Sequence, residues 1–158
     1  MQSSTLPRLR LYRASDAPFV EKLARREFSE YSSRAGVPTV YAATLPGVAA
    51  LVAVVSDEPI GFVMLSFRSN GSSSPVASLD AIAVDGSQRG RGVGKALLAG
   101  AESEARKHHA SELRLVTAEA NVAALDLFLR TGFEIVERKK RFYPKGQNAV
   151  VMRKKLGA

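Results

Sequence analysis

The stretch Ser78–Gly100, SLDAIAVDGSQRGRGVGKALLAG, decides how this chain is read. Leu79, Ala81 and Ala83 alternate with Asp80, Ile82 and Val84, which is a strand's composition, and Asp85-Gly86-Ser87 is turn chemistry that ends it. Gly90, Gly92 and Gly94 then alternate with Arg89, Arg91 and Val93. Glycine has no Cβ, so a ligand can approach the backbone closely there. From Ala96 onward, Leu97, Leu98, Ala101, Glu102, Glu104, Ala105 and Arg106 are good helix formers. The first N–H groups of such a helix lack internal partners and lie at the positive end of its dipole, so the turn is an anion seat. With Arg89, Arg91 and Lys95 beside it, the expected anion is a phosphate ester.

Spacing separates the kinds of glycine-rich phosphate turn. A dinucleotide-binding GxGxxG starting at Gly90 needs Gly or Ala where Lys95 stands, and one starting at Gly92 meets Leu97. A Walker loop ending in Gly94-Lys95 needs Gly at Arg89 and a hydroxyl at Ala96. What fits is Arg89-x-x-Gly92-x-Gly94 after a strand ending in Ile82-Ala83-Val84. This resembles the pyrophosphate-binding motif A of the GCN5-related N-acetyltransferases. The bland alternative is a glycine-rich turn that binds nothing.

Composition bounds the rest. At 158 residues, 46% hydrophobic and 24% charged, residues 1–158 are expected to form one globular domain around a single core. No apolar run approaches the ~20 residues that span a membrane, and the start MQSSTLPRLRLY lacks a secretory signal's apolar core, so a cytoplasmic location is the expectation. Without cysteine there is no disulfide, catalytic thiol or thiolate metal site. His108 and His109 are the only histidines; adjacent helix residues do not share a face, so solvated positions are expected and no metal site. The formal net charge of +8 raises nucleic acid as a partner. The cations are spread along the chain without an aromatic-interleaved recognition element, which favours a polyanionic cofactor or an acidic substrate over specific nucleic-acid binding.

In chain order, Leu6 to Tyr12 is a half-buried strand. Ser15 and Asp16 cap a helix whose apolar positions Phe19, Val20, Leu23, Ala24 and Phe28 have helical spacing, and which fades near Ser32–Gly36. Val37 to Gly47 is a short helix, a loop or both; Tyr31 and Tyr41 are candidate walls for an acceptor, or parts of a packed connector. Ala49–Val55 and Ile60–Phe67 form a hairpin, with Gly61 marking a bulge or a close backbone contact, and Asn70–Pro75 is a flexible tip. After the central helix come a strand at Glu112–Thr117, a helix at Val122–Thr131 capped by Asn121 and closed by Gly132, a strand at Phe133–Val136, a basic connector, and a last strand at Ala149–Met152. The expected fold class is α/β: one mixed, mostly antiparallel sheet with helices on both faces.

Here the resemblance widens. Asn121-x-x-Ala124-x-x-Leu127-Phe128-x-x-x-Gly132-Phe133 is similar to the Asn-x-x-Ala-x-x-Leu-Tyr-x-x-x-Gly-Phe segment of many members of the same acetyltransferase family. The closing Tyr143-Pro144-Lys145-Gly146-x-x-Ala149-x-x-Met152 is also similar to the end of the ribosomal-protein and peptide N-terminal amine acetyltransferases. The resemblance implies a splayed pair of parallel strands at the cofactor site and transfer of acetyl from acetyl-coenzyme A to an amine of a small molecule, protein or peptide. By the same resemblance, the backbone of Arg89, Gly90, Arg91, Gly92, Val93, Gly94 and Lys95 holds the pyrophosphate. The strand end Ile82-Ala83-Val84 binds the pantetheine arm and polarises the thioester carbonyl, and Asn121 and Phe128 complete the cofactor site. A homodimer is allowed.

The amine must lose a proton before attack. Strict alternation puts Asp80 on one face with Ile82 and Val84, where its carboxylate can take that proton through water, anchor the amine's charge, or simply be solvated. Glu119 is a second candidate. The sequence departs from the family at the acid, because Phe128 stands where the motif usually carries a proton-donating tyrosine, and Val116 aligns with a glutamate usual in the peptide N-terminal enzymes. Tyr143 is a candidate replacement acid or an aromatic rim residue, or the thiolate leaves unprotonated. An acyl-coenzyme A-binding module without transferase activity is the alternative class.

Overall fold

β-Branched and small apolar residues at period two, interrupted by helices with apolar residues at period 3.6, give a computed structural model that describes residues 6–31, 37–68 and 75–157. Within them the strands are β1 (Arg8–Leu11), β2 (Val48–Val55), β3 (Glu58–Arg68), β4 (Val76–Val84), β5 (Glu112–Ala118), β6 (Glu134–Lys139) and β7 (Ala149–Lys155). The helices are α1 (Ala17–Phe28), α2 (Val37–Ala42), α3 (Val93–Lys107) and α4 (Val122–Arg130). The open region from Val37 to Gly47 thus begins as a short helix, and the last two strands run further than the sequence pattern indicates. The expectations for residues 32–36 and for the tip at 70–74 lie outside the described residues.

The strands form one sheet in the order β1-β2-β3-β4-β5-β7-β6. Only β4 and β5 pair in parallel; every other neighbouring pair is antiparallel. On one face α3 and α4 cover Leu51, Val63, Leu65, Leu79, Leu113 and Met152. On the other, α1 covers Val52, Val54, Phe62, Met64 and Ala83 through Val20, Leu23 and Ala24.

Local chemistry explains several joints. Ser56 and Asp57, at φ 51° and 64°, form the tight β2–β3 turn whose positive φ matches the twist of a hairpin. Gly61 sits just after a register shift between β2 and β3, and an added Cβ there would lie 2.8 Å from Ala83 O, so both meanings of a strand glycine apply at once. Asp16 does not cap α1 as its sequence position implies. It is 2% exposed, accepts two hydrogen bonds from the Arg10 guanidinium at 2.7 and 2.8 Å and one from Arg13 N–H at 2.9 Å, tying β1 to the start of α1. His108 and His109 are exposed, and His108 stacks on Phe67 at 4.0 Å.

Candidate active site

The parallel pairing of β4 and β5 runs from Val76↔Glu112 to Leu79↔Leu115 and stops there, although β4 continues to Val84 and β5 to Ala118. The strands therefore part in a V. Its apex coincides with a bulge: Leu65 faces Leu79 and Met64 faces Ala81, so Asp80 is an extra residue with no partner on β3. A bulge bends its strand and sharpens the local twist, which steers β4 away from β5. Asp85 N–H donates to Ile60 O on the β3 side. Backbone groups of successive extended residues point alternately to either side, so those of Val84 and Ile82 turn away from β3 into the opening.

The bulge overturns the parity expected for Asp80. Leu79, Ile82 and Val84 pack with α3 and α4, whereas Ala81 and Ala83 pack with α1. Asp80 lies near Ser66 and Arg68, which alternate with Leu65 and Phe67 on β3 and so share the face of Phe62 and Met64. It thus lies on the α1 face, opposite to Ile82 and Val84. Although Asp80 is exposed as a residue, crowding around its carboxyl raises its pKa above the ordinary value, opposed by the Ser66 hydrogen bond and the Arg68 charge.

Beyond the V lies the glycine turn. Gly90 and Gly92 both have φ +78° and nothing within 4 Å of an added Cβ. Gly92 caps α3 without any side-chain bond, and the first bond back to it comes from Ala96 N–H at 3.0 Å. The N–H groups of Val93, Gly94 and Lys95 are thus left without helical partners beside an open hollow. Gly94 has a different reason to be glycine: its Cβ would approach Leu127 Cδ2 to 2.9 Å, so it lets α4 pack on the start of α3. Arg89 bonds Glu27 of α1, and Arg26 lies 3.8 Å from Asp85, so two ion pairs fasten α1 to this turn. Among the described residues Arg91 and Lys95 make no ion pair.

Turn, V and α4 enclose a cleft of about 580 Å³. Every residue expected to hold the cofactor lines it except Arg91, which is exposed nearby. Phe128 forms part of the wall, 3% exposed and edge-on to Phe133 at 5.7 Å; it packs there because Ala124, Leu127 and Phe128 fall on the buried side of α4 while Val122 and Leu129 face out. Asn121 Oδ1 accepts from Ala124 N–H at 3.3 Å, capping α4 and leaving its amide NH₂ as the donor at the cleft. Glu27, Gln88 and Arg130 also line the cleft. Sequence reasoning missed Glu27 because only the tertiary ion pair with Arg89 places it there.

The remaining catalytic candidates lie elsewhere. Glu119 pairs with Arg138 at 3.2 Å and does not line the cleft. Tyr143 packs against Tyr31 at 4.9 Å and Phe142 at 5.0 Å, on the α1 side, also outside the cleft lining. Burial raises its phenol pKa, with Tyr31 adding to the shift. Val116 is 44% exposed and pairs with Val151. No helix among the described residues is long and apolar enough to cross a membrane.

Comparison with known proteins supplies the context for this geometry. The model describing the acetyltransferase (GNAT) family matches residues 16–133. No curated protein matches the sequence. Among solved structures, the ribosomal-protein-S18-alanine N-acetyltransferase from Escherichia coli superposes with a TM-score of 0.79 at 20% identity, covering 97% of this chain and 96% of that one. Ard1 from Thermoplasma volcanium gives 0.81 at 24% identity, over 96% and 99% of the two chains. NAA60 from Arabidopsis thaliana in complex with acetyl-CoA gives 0.82 at 19% identity, over 97% and 100%.

Proposed function

Because this chain belongs to the acetyltransferase (GNAT) family, we propose that it transfers the acetyl group of acetyl-coenzyme A to a primary amine of a small molecule, protein or peptide. The observation that carries this reading is the unzipped β4–β5 V with a backbone phosphate seat at its mouth. The residues fit the cofactor: Gly90 and Gly92 border open space at a φ that favours glycine, unpartnered N–H groups lie beside it, and Ile82, Val84, Leu127 and Phe128 offer an apolar channel for the pantetheine arm. When bound, acetyl-coenzyme A supplies a thioester activated toward an amine. Two proteins of similar structure are a ribosomal-protein-S18-alanine N-acetyltransferase and a NatC complex bound to Gag peptide and CoA, which favours a protein or peptide amine here.

In this reading the N–H groups that Ile82 and Val84 turn into the V donate to the thioester oxygen as it gains charge. The α3/α4 face is taken by the cofactor, so the amine enters from the α1 face. Asp80, at the apex of the V on that face, accepts the amine's proton directly or through water. Its raised pKa makes it a better base than an ordinary carboxylate. Phe128 has no proton to give, so thiolate departure relies on another donor or proceeds unprotonated, as a pKa of ~8.5 for a cysteine-like thiol permits.

Calorimetry with acetyl-coenzyme A, followed by an acceptor panel monitored through coenzyme A release, tests the reading. Binding together with turnover on at least one amine supports it. Absence of binding would sink it, and binding without turnover on any amine would leave a module that keeps acyl-coenzyme A without transferring it.

A further inference from the structure

Residues 138–157 carry eight Lys and Arg and no carboxylate. Three of these cations have carboxylate partners: Arg138 with Glu119 just past β5, Arg153 with Glu134 on β6 and Lys154 with Glu102 on α3. Lys139 lies over the Phe142 ring, 5.4 Å from its centroid. Lys140, Arg141 and Lys145, all in the β6–β7 loop, are exposed and make no ion pair among the described residues. Most other arginines of the chain do have a carboxylate partner, from Arg8 with Asp57 to Arg130 with Asp126. Lys155 and, at the glycine turn, Arg91 and Lys95 likewise make no ion pair among the described residues, but the β6–β7 loop places three such cations within six residues.

The loop's position gives that charge a use. Gln147 Nε2 donates to Glu30 O at 3.1 Å and the Tyr143 ring packs at a tilt against Tyr31, so the loop is held against the end of α1. The last turn of the same helix carries Glu27 into the cleft wall. The trio thus flanks the α1 side of the cleft, where the acceptor enters if the transferase reading is right. We propose that the β6–β7 loop recognises carboxylates and that the acceptor is an acidic peptide, one whose free amine is flanked by Asp or Glu.

This rests on the transferase reading and adds the substrate class. Like charge at the entrance disfavours polycationic small amines. Cations spread along a loop match carboxylates spaced along a chain better than the single carboxylate of a small acid. A nucleic acid would satisfy the charge but offers no basic aliphatic amine to acetylate.

The test uses octapeptides with a free N-terminal amine and one central lysine, flanked by either Asp and Glu or the isosteric Asn and Gln. Fluorescence anisotropy gives their affinities and coenzyme A release gives kcat/KM with saturating acetyl-coenzyme A, for the wild-type protein and for the triple variant Lys140→Gln, Arg141→Gln, Lys145→Gln. The expected wild-type preference for the acidic peptide is roughly tenfold in both readouts at low salt, shrinking as salt rises. In the triple variant the ratio should fall to about one, while an unchanged acetyl-coenzyme A affinity shows that the protein is folded. Equal affinity for acidic and amide peptides overturns the proposal, as does a preference that survives the triple substitution. Tighter binding of a single-stranded oligonucleotide of matched charge than of the acidic peptide overturns it in favour of nucleic acid. Charge-selective binding without coenzyme A release would uphold the recognition site and refute the transferase reading instead.

Discussion

Replacing Gly92 by alanine separates a backbone requirement from a ligand requirement, because the fold contains its own control. Gly47 and Gly92 share φ +78° and both have nothing within 4 Å of an added Cβ, but only Gly92 lines the cleft. An L-residue forced into this left-handed conformation costs about 1–2 kcal/mol. At this chain length each kcal/mol corresponds to about 2–4 °C in Tm. Gly47→Ala and Gly92→Ala should therefore lose similar stability, about 2–8 °C each in a thermal melt. They should differ in binding. The Gly92 methyl projects into the hollow beside the unpartnered N–H groups of α3, holding a phosphate away from at least one of them. A hydrogen bond to a charged group is worth about 1.5–3 kcal/mol, which is roughly ten- to a hundredfold in Kd. Calorimetry with acetyl-coenzyme A should show that loss for Gly92→Ala and a wild-type Kd for Gly47→Ala. Equal affinity in both variants, or an equal loss in both, would refute the assignment of the turn as a phosphate seat.

Three further outcomes are expected. Asp80→Asn should lower kcat about 10²–10⁴-fold with little change in acetyl-coenzyme A affinity; in the wild type, the acid limb of kcat/KM should lie above the ordinary carboxylate range, because the Asp80 pKa is raised, and a pH–rate profile reads both. Phe128→Tyr should accelerate turnover if thiolate departure is rate-limiting, whereas if Tyr143 supplies the proton, Tyr143→Phe should slow turnover and Phe128→Tyr should partly rescue it; steady-state kinetics of the singles and the double decide. Asp16→Ala should destabilise the protein by about 1–3 kcal/mol in urea unfolding, since it removes the charged hydrogen-bond partner of a part-buried Arg10; and because the Arg10 hydrogen bonds depress the Asp16 pKa, the stabilisation in the wild type should be complete above the unfolded-state value of ~3.9 and fade as pH falls through the folded one.

What the sequence makes legible here is what local chemistry dictates. The strand, glycine turn and helix from Ser78 onward are contiguous, so composition and spacing reach the phosphate seat, and the helical period of Ala124, Leu127 and Phe128 reaches the cleft wall. Gly61 declares its bulge because glycine is out of place in a strand. The bulge at Asp80 carries no such mark. Aspartate in a strand has many reasons to be there, and one unpaired residue reverses the face of everything beyond it, so strict alternation misplaces Asp80 relative to Ile82 and Val84. Asp16 is misread for a related reason: an Asp before a helix looks like a cap, and only the tertiary arrangement brings Arg10 to it. Glu27 is invisible for the same reason, its partner Arg89 being 62 positions away.

The bulge also bears on which changes in chain length this architecture tolerates. Removing Asp80 would leave Leu79 opposite Leu65 and Ala81 opposite Met64, with every apolar side chain still on its present face. The shortened strand would be a more regular one, free to keep pairing along β5 past Leu115. Such a deletion differs from the usual damaging one, since it mends a discontinuity in the hydrogen-bond ladder. What it would erase is the gap between the two strands. The opening in this sheet exists because β4 is one residue longer than its partner requires.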